Sequence, residues 1–309
     1  TSKDEVGELA KNLKLLENEI VIHFANYKRK VEKRTTEIIR QKEKIEMHKS
    51  VIEQKNKDTI DSIQYARRIQ ESMLPKAKFL DQLLNDYFVF YRPKDIVSGD
   101  FYWVYKKNDK IMYSAADCTG HGVPGAFMSI IGHNSLDKIV GEMDITTPAL
   151  ILDELNQSVS TTLRQKSEMD QVKDGMDMAL IAYDTKKRTL EYAGAHNPLY
   201  IFRDDELIET KANKFAIGSF IRGEKQKFEN HVFEAKSGDT IYAFSDGFPD
   251  QFGGELGKKY KYKPFKNFLK SIHKEPMHVQ HQKLEDEFIS WLGSYEQIDD
   301  VLIIGVKIP

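Results

Sequence analysis

The stretch GDFYWVYKKNDKIMYSAADCTGHGVPGAF, residues 99–127, decides how this chain is read. It holds two runs of β-forming residues, FYWVYK (101–106) and KIMYSAA (110–116), joined by the short link KND (107–109). So short a link between such runs predicts an antiparallel hairpin. Turned about Asn108 and Asp109, the hairpin sets Asp100 and Asp117 opposite each other at its open end, about 5 Å apart at their Cα atoms. Two carboxylates that close resist joint ionisation unless a cation lies between them.

Asp117 opens DCTGHGVPGAF (117–127), where Gly120, Gly122 and Gly125 surround His121 and lead into a helix expected over 123–140. Glycine lets backbone approach a ligand closely, and a helix N-terminus favours anions such as phosphate. No Gly-Lys-Ser/Thr follows, so this is not a nucleotide P-loop. The Cys118 carbonyl, next to Asp117, offers one more hard oxygen. His121 could orient water or act as a general acid, or it is a structural loop histidine. Cys118 has no histidine-plus-acid arrangement near it in sequence to make it a nucleophile.

The same pattern recurs further on. Asp246 follows the run TIYAFS (240–245), and Asp299 and Asp300 precede VLIIGVKI (301–308). If those strands are antiparallel neighbours, the end of one meets the start of the other. If this mouth and the first one meet, four or five carboxylates converge. A cluster of oxygens alone suits Mg²⁺ or Mn²⁺ rather than zinc. Two such ions can bridge a water, lower its pKa and aim it at phosphorus without a protein nucleophile. A lone aspartate at a strand end is otherwise a turn or cap residue, and Asp109, Asp184, Asp204 and Asp239 are read that way.

Further β-rich runs are YFVFYR (87–92), MALIAYD (178–184), TLEYAGA (189–195) and PLYIFR (198–203). Helical patterns fall at 123–140, 148–166 and 277–292. Hairpins interrupted by a few long helices predict an α+β domain of packed sheets with helices outside. The chain has 309 residues, 40% of them hydrophobic, and a formal net charge of −2, with no bias toward nucleic acid or an anionic membrane. Its one cysteine, Cys118, excludes an intrachain disulfide and fits a reducing, cytoplasmic setting. There is no apolar run long enough to span a bilayer and no secretory signal. The first residue, Thr1, reads as the start of an excised piece of a longer protein.

Residues 1–74 differ in texture, with one glycine, no proline and many Lys, Glu, Gln and Arg residues. Val6, Leu13, Ile20 and Tyr27 recur every seven residues, as do Phe24, Val31, Ile38, Ile45 and Ile52. That spacing predicts a long helix in a dimeric coiled coil, with a stutter near Ile20 and Phe24 and a polar, weaker distal seam. A solvent-exposed spacer helix fits the pattern equally well. The run KRKVEKR (28–34) lies within the heptads and is flanked by glutamates, so it reads as a solvated face rather than a DNA-binding arm.

Six motifs in order carry a resemblance: VSGDFYWVY (97–105), ADCTGHGVPGAFMS (116–129), DGMDMALIAYD (174–184), YAGAHNPLYIF (192–202), GDTIYAFSDGFPDQF (238–252) and IDDVLIIGVKI (298–308). Together with SIQYARRIQESMLPK (62–76), they resemble the SpoIIE/RsbU branch of the PPM (PP2C-like) serine/threonine phosphatases. The resemblance implies an αββα sandwich of two antiparallel sheets flanked by helices over residues 62–309, entered by a helix at 62–74 and preceded by a signalling helix at 1–61. It implies two Mn²⁺ or Mg²⁺ ions, or three, held by Asp100, Asp117, Asp246 and the Cys118 carbonyl. Asp299 is the favoured fourth acid, with Asp300 as the alternative. It implies a phosphorylated STAS-type (anti-anti-sigma) protein as substrate.

Residues KDEVGELAKNL (3–13) resemble the last helix of a HAMP relay, which implies a membrane sensor upstream in the parent protein, anchored in the inner membrane. Leu302 stands where the family usually has threonine. The stretch GGELGKKYKYKPF (253–265) is unusually rich in lysine and tyrosine; it either shapes substrate choice or is a solvated loop, and the second is the favoured reading. A catalytically silent scaffold of the same fold is the competing expectation; intact acids argue against it.

Overall fold

A computed structural model describes residues 2–163, 174–218 and 227–309. It divides into two compact units, Thr1–Ser62 and Ile63–Pro309. The first unit belongs to one helix, α1 (Ser2–Met73), which continues into the second. Its heptad residues are exposed, Val6 at 66%, Ile20 at 64% and Ile45 at 66%. No helix among the described residues is long and apolar enough to cross a membrane.

In the second unit the elements follow in chain order. First come α2 (Ala77–Leu83), β1 (Tyr87–Arg92), β2 (Phe101–Lys107), β3 (Lys110–Cys118), α3 (Gly122–Gly141) and α4 (Pro148–Thr162). Then come β4 (Met176–Asp184), β5 (Thr189–Ala195), β6 (Leu199–Arg203), β7 (Glu206–Thr210), β8 (His231–Glu234) and β9 (Thr240–Phe244). The chain closes with α5 (Gly247–Asp250), β10 (Phe252–Gly253), β11 (Lys258–Lys259), α6 (Tyr262–Ile272), α7 (Met277–Leu292) and β12 (Val301–Lys307). The last three residues of the helix expected over 148–166 lie outside the described residues.

Two five-stranded sheets, β1-β12-β9-β6-β7 and β2-β3-β4-β5-β8, carry the fold. Every pairing in them is antiparallel. The strands alternate between two apolar layers because successive side chains point to opposite faces. In β12, Leu302, Ile304 and Val306 join Tyr113, Ile181 and Ile201 between the sheets. Val301 and Ile303 point outward to Phe265, Leu269, Leu284 and Phe288 of α6 and α7. On the other sheet, Met112 and Met178 face Leu136, Ile139, Leu152 and Leu155 of α3 and α4. The order of layers is therefore helix, sheet, sheet, helix, as expected. Strands buried on both faces read as near-continuous apolar runs, which is the texture of VLIIGVKI. Leu302 is wholly buried between the sheets, and its N–H donates to Ser245 Oγ at 3.0 Å.

The stretch 253–265 is a correction to the solvated-loop expectation. It forms a ribbon, β10 with β11, and the first turn of α6, with Tyr260 and Phe265 buried. Here the apolar residues fix the fold, and the lysines between them obscure it in the sequence.

Candidate active site

Each acid arrives at a strand end. β2 pairs with β3 with Phe101 opposite Ala116, the register its short link demands, so Asp100 and Asp117 flank the open end. Asp117 also lies opposite Asp177 across β3 and β4. In the other sheet Phe244 is opposite Ile303, and the Ser245 N–H donates to the Leu302 carbonyl at 2.9 Å. That pairing carries Asp246 to the Asp299–Asp300 turn. The two mouths meet, because Asp117 from one sheet and Asp246 and Asp299 from the other face the same cavity. Asp117, Cys118, Gly120, His121, Asp177, Asp246 and Asp299 line one cavity of about 210 Å³.

Two close approaches explain glycines in the turns. A Cβ on Gly125 would overlap the Gly120 carbonyl and stand 2.8 Å from the Gly99 Cα, so the loops bearing Asp100 and Asp117 pack backbone to backbone. A Cβ on Gly247 would overlap the Asp300 carbonyl, so the turn after Asp246 lies directly on the Asp299–Asp300 step.

The electrostatics follow from crowding acids in a buried place. Burial, and then the charges of Asp100, Asp246, Asp299 and Asp177, push Asp117 well above the usual carboxylate range. Burial also raises Asp100 well above it; a Ser245 hydrogen bond pulls the other way, and Asp300, Asp299 and Asp246 add to the rise. Asp246 and Asp299 are raised as well, by burial first. Asp177 is pushed up to about 6, by burial against the opposing pull of His196. Asp100 is 2% exposed, and its Oδ2 has no hydrogen-bond partner among the described residues.

A buried, unpartnered carboxylate oxygen amid like charges is costly unless a cation joins it. The donors are all hard oxygens, which fits Mg²⁺ or Mn²⁺. Among the described residues, no three His, Cys, Asp or Glu side chains are grouped tightly enough to hold one ion by themselves. Such a shell needs backbone carbonyl and water as well as carboxylates, which is the habit of Mg²⁺.

Asp299 and Asp300 have different surroundings. Asp300 is 2% exposed and accepts the Lys94 N–H at 2.7 Å and the Gly99 N–H at 2.8 Å, so it clamps the loop that carries Asp100. Asp299 lines the cavity. His121 Nε2 lies 3.0 Å from Lys94 Nζ, and its Nδ1 lies 2.6 Å from Asp95 Oδ2. An ammonium only donates, so Nε2 is the acceptor and the ring proton sits on Nδ1, donated to Asp95. The Cys118 thiol is buried, and burial followed by the Asp117 charge pushes its pKa well up, which opposes thiolate chemistry.

Sequence reasoning missed Asp177, Asp95 and Lys94. For Asp177 a signal existed: it is an acid just ahead of MALIAYD, at a strand end like the others. Asp95 and Lys94 gave none, because nothing local ties them to His121.

A family model described as Stage II sporulation protein E (SpoIIE) matches residues 107–309. Phosphoserine phosphatase RsbU of Bacillus subtilis (strain 168) is 26% identical over 189 residues, covering 60% of this chain and 52% of RsbU. The chain thus spans about half the length of that curated relative. Among solved structures, the SiaA-PP2C domain of Pseudomonas aeruginosa superposes with a TM-score of 0.74 at 30% identity, covering 82% of this chain and 98% of that domain. The PP2C phosphatase domain of Bacillus subtilis SpoIIE, with a fragment of its regulatory domain, shares the fold at 20% identity and a TM-score of 0.57, covering 72% of this chain and 61% of that one. With the layered sheets, the strand-end acids and the family model in agreement, the chain belongs to the SpoIIE family of PP2C-type phosphatases.

Proposed function

We propose that this domain is a metal-dependent protein serine/threonine phosphatase acting on phosphoserine or phosphothreonine in a STAS-type regulatory protein. One observation carries the proposal: Asp117, Asp246 and Asp299 share a cavity whose inner neighbour, Asp100, buries a carboxylate oxygen without a partner. Asp100, Asp117, Asp246, Asp299 and the Cys118 carbonyl would hold two Mn²⁺ or Mg²⁺ ions. When bound, such ions supply Lewis acidity toward phosphoryl oxygens and a lowered pKa for the attacking water.

The chain's own groups do the rest. The acids fix where positive charge sits, and the sheets hold them rigidly. Asp300, through two backbone N–H groups, keeps the Asp100 loop in place. His121, with its proton turned toward Asp95, orients the Lys94 ammonium at the cavity margin. The STAS substrate is supported by the likeness to RsbU, itself a phosphoserine phosphatase. The exposed heptad seam of α1 supports a homodimer that relays a signal from a membrane sensor upstream.

The test is manganese-dependent hydrolysis of p-nitrophenyl phosphate and of a phosphorylated STAS protein, followed over increasing metal. Turnover of both is expected. Absence of both at saturating metal in a dimeric preparation would sink the proposal. Asp246→Asn keeps the volume of the side chain and removes its charge. The fold is expected to survive, with manganese affinity by calorimetry weakened about tenfold or more and turnover lost with it. Wild-type affinity in that variant would remove Asp246 from the ligand set. A silent scaffold need not bind manganese in the micromolar range, so the same titration separates it from an enzyme.

A further inference from the structure

The lysine-rich stretch after Asp246 is fixed to the candidate site. α5 directly follows Asp246 and ends at Asp250, and after Gln251 the β10–β11 ribbon begins, with Phe252 opposite Lys259. Two backbone bonds fasten its far end to the same short segment: Lys261 N–H to the Pro249 carbonyl at 2.6 Å, and Tyr260 N–H to the Gln251 carbonyl at 2.9 Å. Tyr260 is buried edge-on to Phe248 and Trp291, and its hydroxyl donates to Glu287 at 2.8 Å. Lys261 has a φ of 74°, a left-handed angle that a non-glycine residue holds only when its surroundings impose it. Tyr262, next in the chain, stands where the charges of Asp246, Asp250, Asp117 and Asp177 reach it. The ribbon and the first turn of α6 are therefore a lip beside the carboxylates.

From 258 to 266, five of nine residues are lysine. Two are engaged within the fold: Lys259 pairs with Asp250 at 2.8 Å and Lys266 with Glu209 at 2.7 Å. Lys259 is also the lysine whose charge opposes the rise at Asp246. Lys258, Lys261 and Lys263 are exposed and make no ion pair among the described residues. Neutralising the acids of the site does not account for them. A chain of net charge −2 thus gathers unpaired positive charge along a short, rigid lip at the mouth of an acidic cavity.

We infer that Lys258, Lys261 and Lys263 dock acidic side chains flanking the phosphorylated residue of a protein substrate, so that the lip sets substrate choice and leaves the chemistry to the cavity. This rests on the phosphatase proposal above. Charges at such a rim act through encounter and orientation, and salt screens them. A small phosphate ester, which has no flanks, does not need them.

The experiment compares the full chain with Lys258→Glu/Lys263→Glu, and with Lys258→Ala/Lys263→Ala as a milder variant in case charge reversal impairs folding. Each is assayed with manganese on p-nitrophenyl phosphate and on two phosphoserine peptides, one flanked by Asp and Glu, the other by Lys. The wild type is expected to favour the acidic peptide by about tenfold in kcat/KM, mainly through KM, and less so as salt rises from about 50 to about 300 mM. Charge reversal should abolish or invert that preference, and alanine should reduce it, with p-nitrophenyl phosphate turnover kept within about twofold. A wild type that hydrolyses p-nitrophenyl phosphate but treats both peptides alike would overturn the inference, as would variants that keep the preference. Failure of the wild type on every substrate would overturn the phosphatase proposal instead. The lip would then be judged by fluorescence anisotropy of the labelled peptides: tighter binding of the acidic one, lost in the variants, upholds it, and equal binding refutes it.

Discussion

Asp177 shows how one side chain can tie pH to stability. Its carboxyl is raised from 3.8 to about 6, so without metal the folded protein keeps a proton that the unfolded chain has already released. The sign follows: its contribution is fully present below the unfolded value and is lost as pH rises through about 6. In EDTA, Asp177→Asn should melt close to the wild type near pH 4, with a gap in its favour that opens between about pH 4 and 6 and levels off above that, narrowed by manganese. Thermal melts across that range check this, and a gap independent of pH would contradict it. Asp100, Asp117, Asp246 and Asp299 were legible because each borders a run that reads as a strand by itself. Asp177 borders such a run too, MALIAYD, but β3 and β4 are joined through α3 and α4, so no short link announces that it will face Asp117. The contact of Lys94 and Asp95 with His121 is likewise a product of tertiary packing.

At the scale of elements, the turns between strands and helices hold the acids together. Gly247→Ala would press a methyl group into the Asp300 carbonyl. The expected cost is about 1–3 kcal/mol of stability by urea unfolding, with a weaker manganese isotherm as Asp246 and Asp299 are forced apart. Unchanged stability and affinity would show that the two turns can separate freely. The α1 seam makes a different demand. Placing aspartate at Ile20 and Phe24, 64% and 72% exposed in the single chain, should convert a dimer to a monomer in sedimentation experiments.

The strands of the sandwich were readable because both their faces are buried, and the helices because their starts are marked, as by Pro148 at the head of α4. Edge strands β7 and β8 were not, since they are only five and four residues long and neither holds a fully buried residue, so no apolar run marks them. In α6 the apolar positions Phe265, Leu269 and Ile272 do recur at helical spacing, but the lysines around them and Pro264 in the first turn hid the period.

For the whole domain, metal and fold are linked. An ion that binds only the folded form at about a hundred times its dissociation constant adds about 2.7 kcal/mol, or roughly 5–10 °C in Tm for a domain of this size. Manganese should therefore raise the melting temperature, and EDTA should reverse it; calorimetric scans at several metal concentrations decide. The order β1-β12-β9 adds a second link. The last strand of the chain lies in the middle of its sheet, between the first strand and the ninth, and it directly follows Asp299 and Asp300. Until that strand is in place, β1 has no partner in the sheet, β9 is paired with β6 alone, and the loop carrying Asp100 has no clamp. Whatever loosens β12 is thereby expected to loosen the grip on the acids too, so that the seating of one interior strand and the integrity of the site rise and fall together.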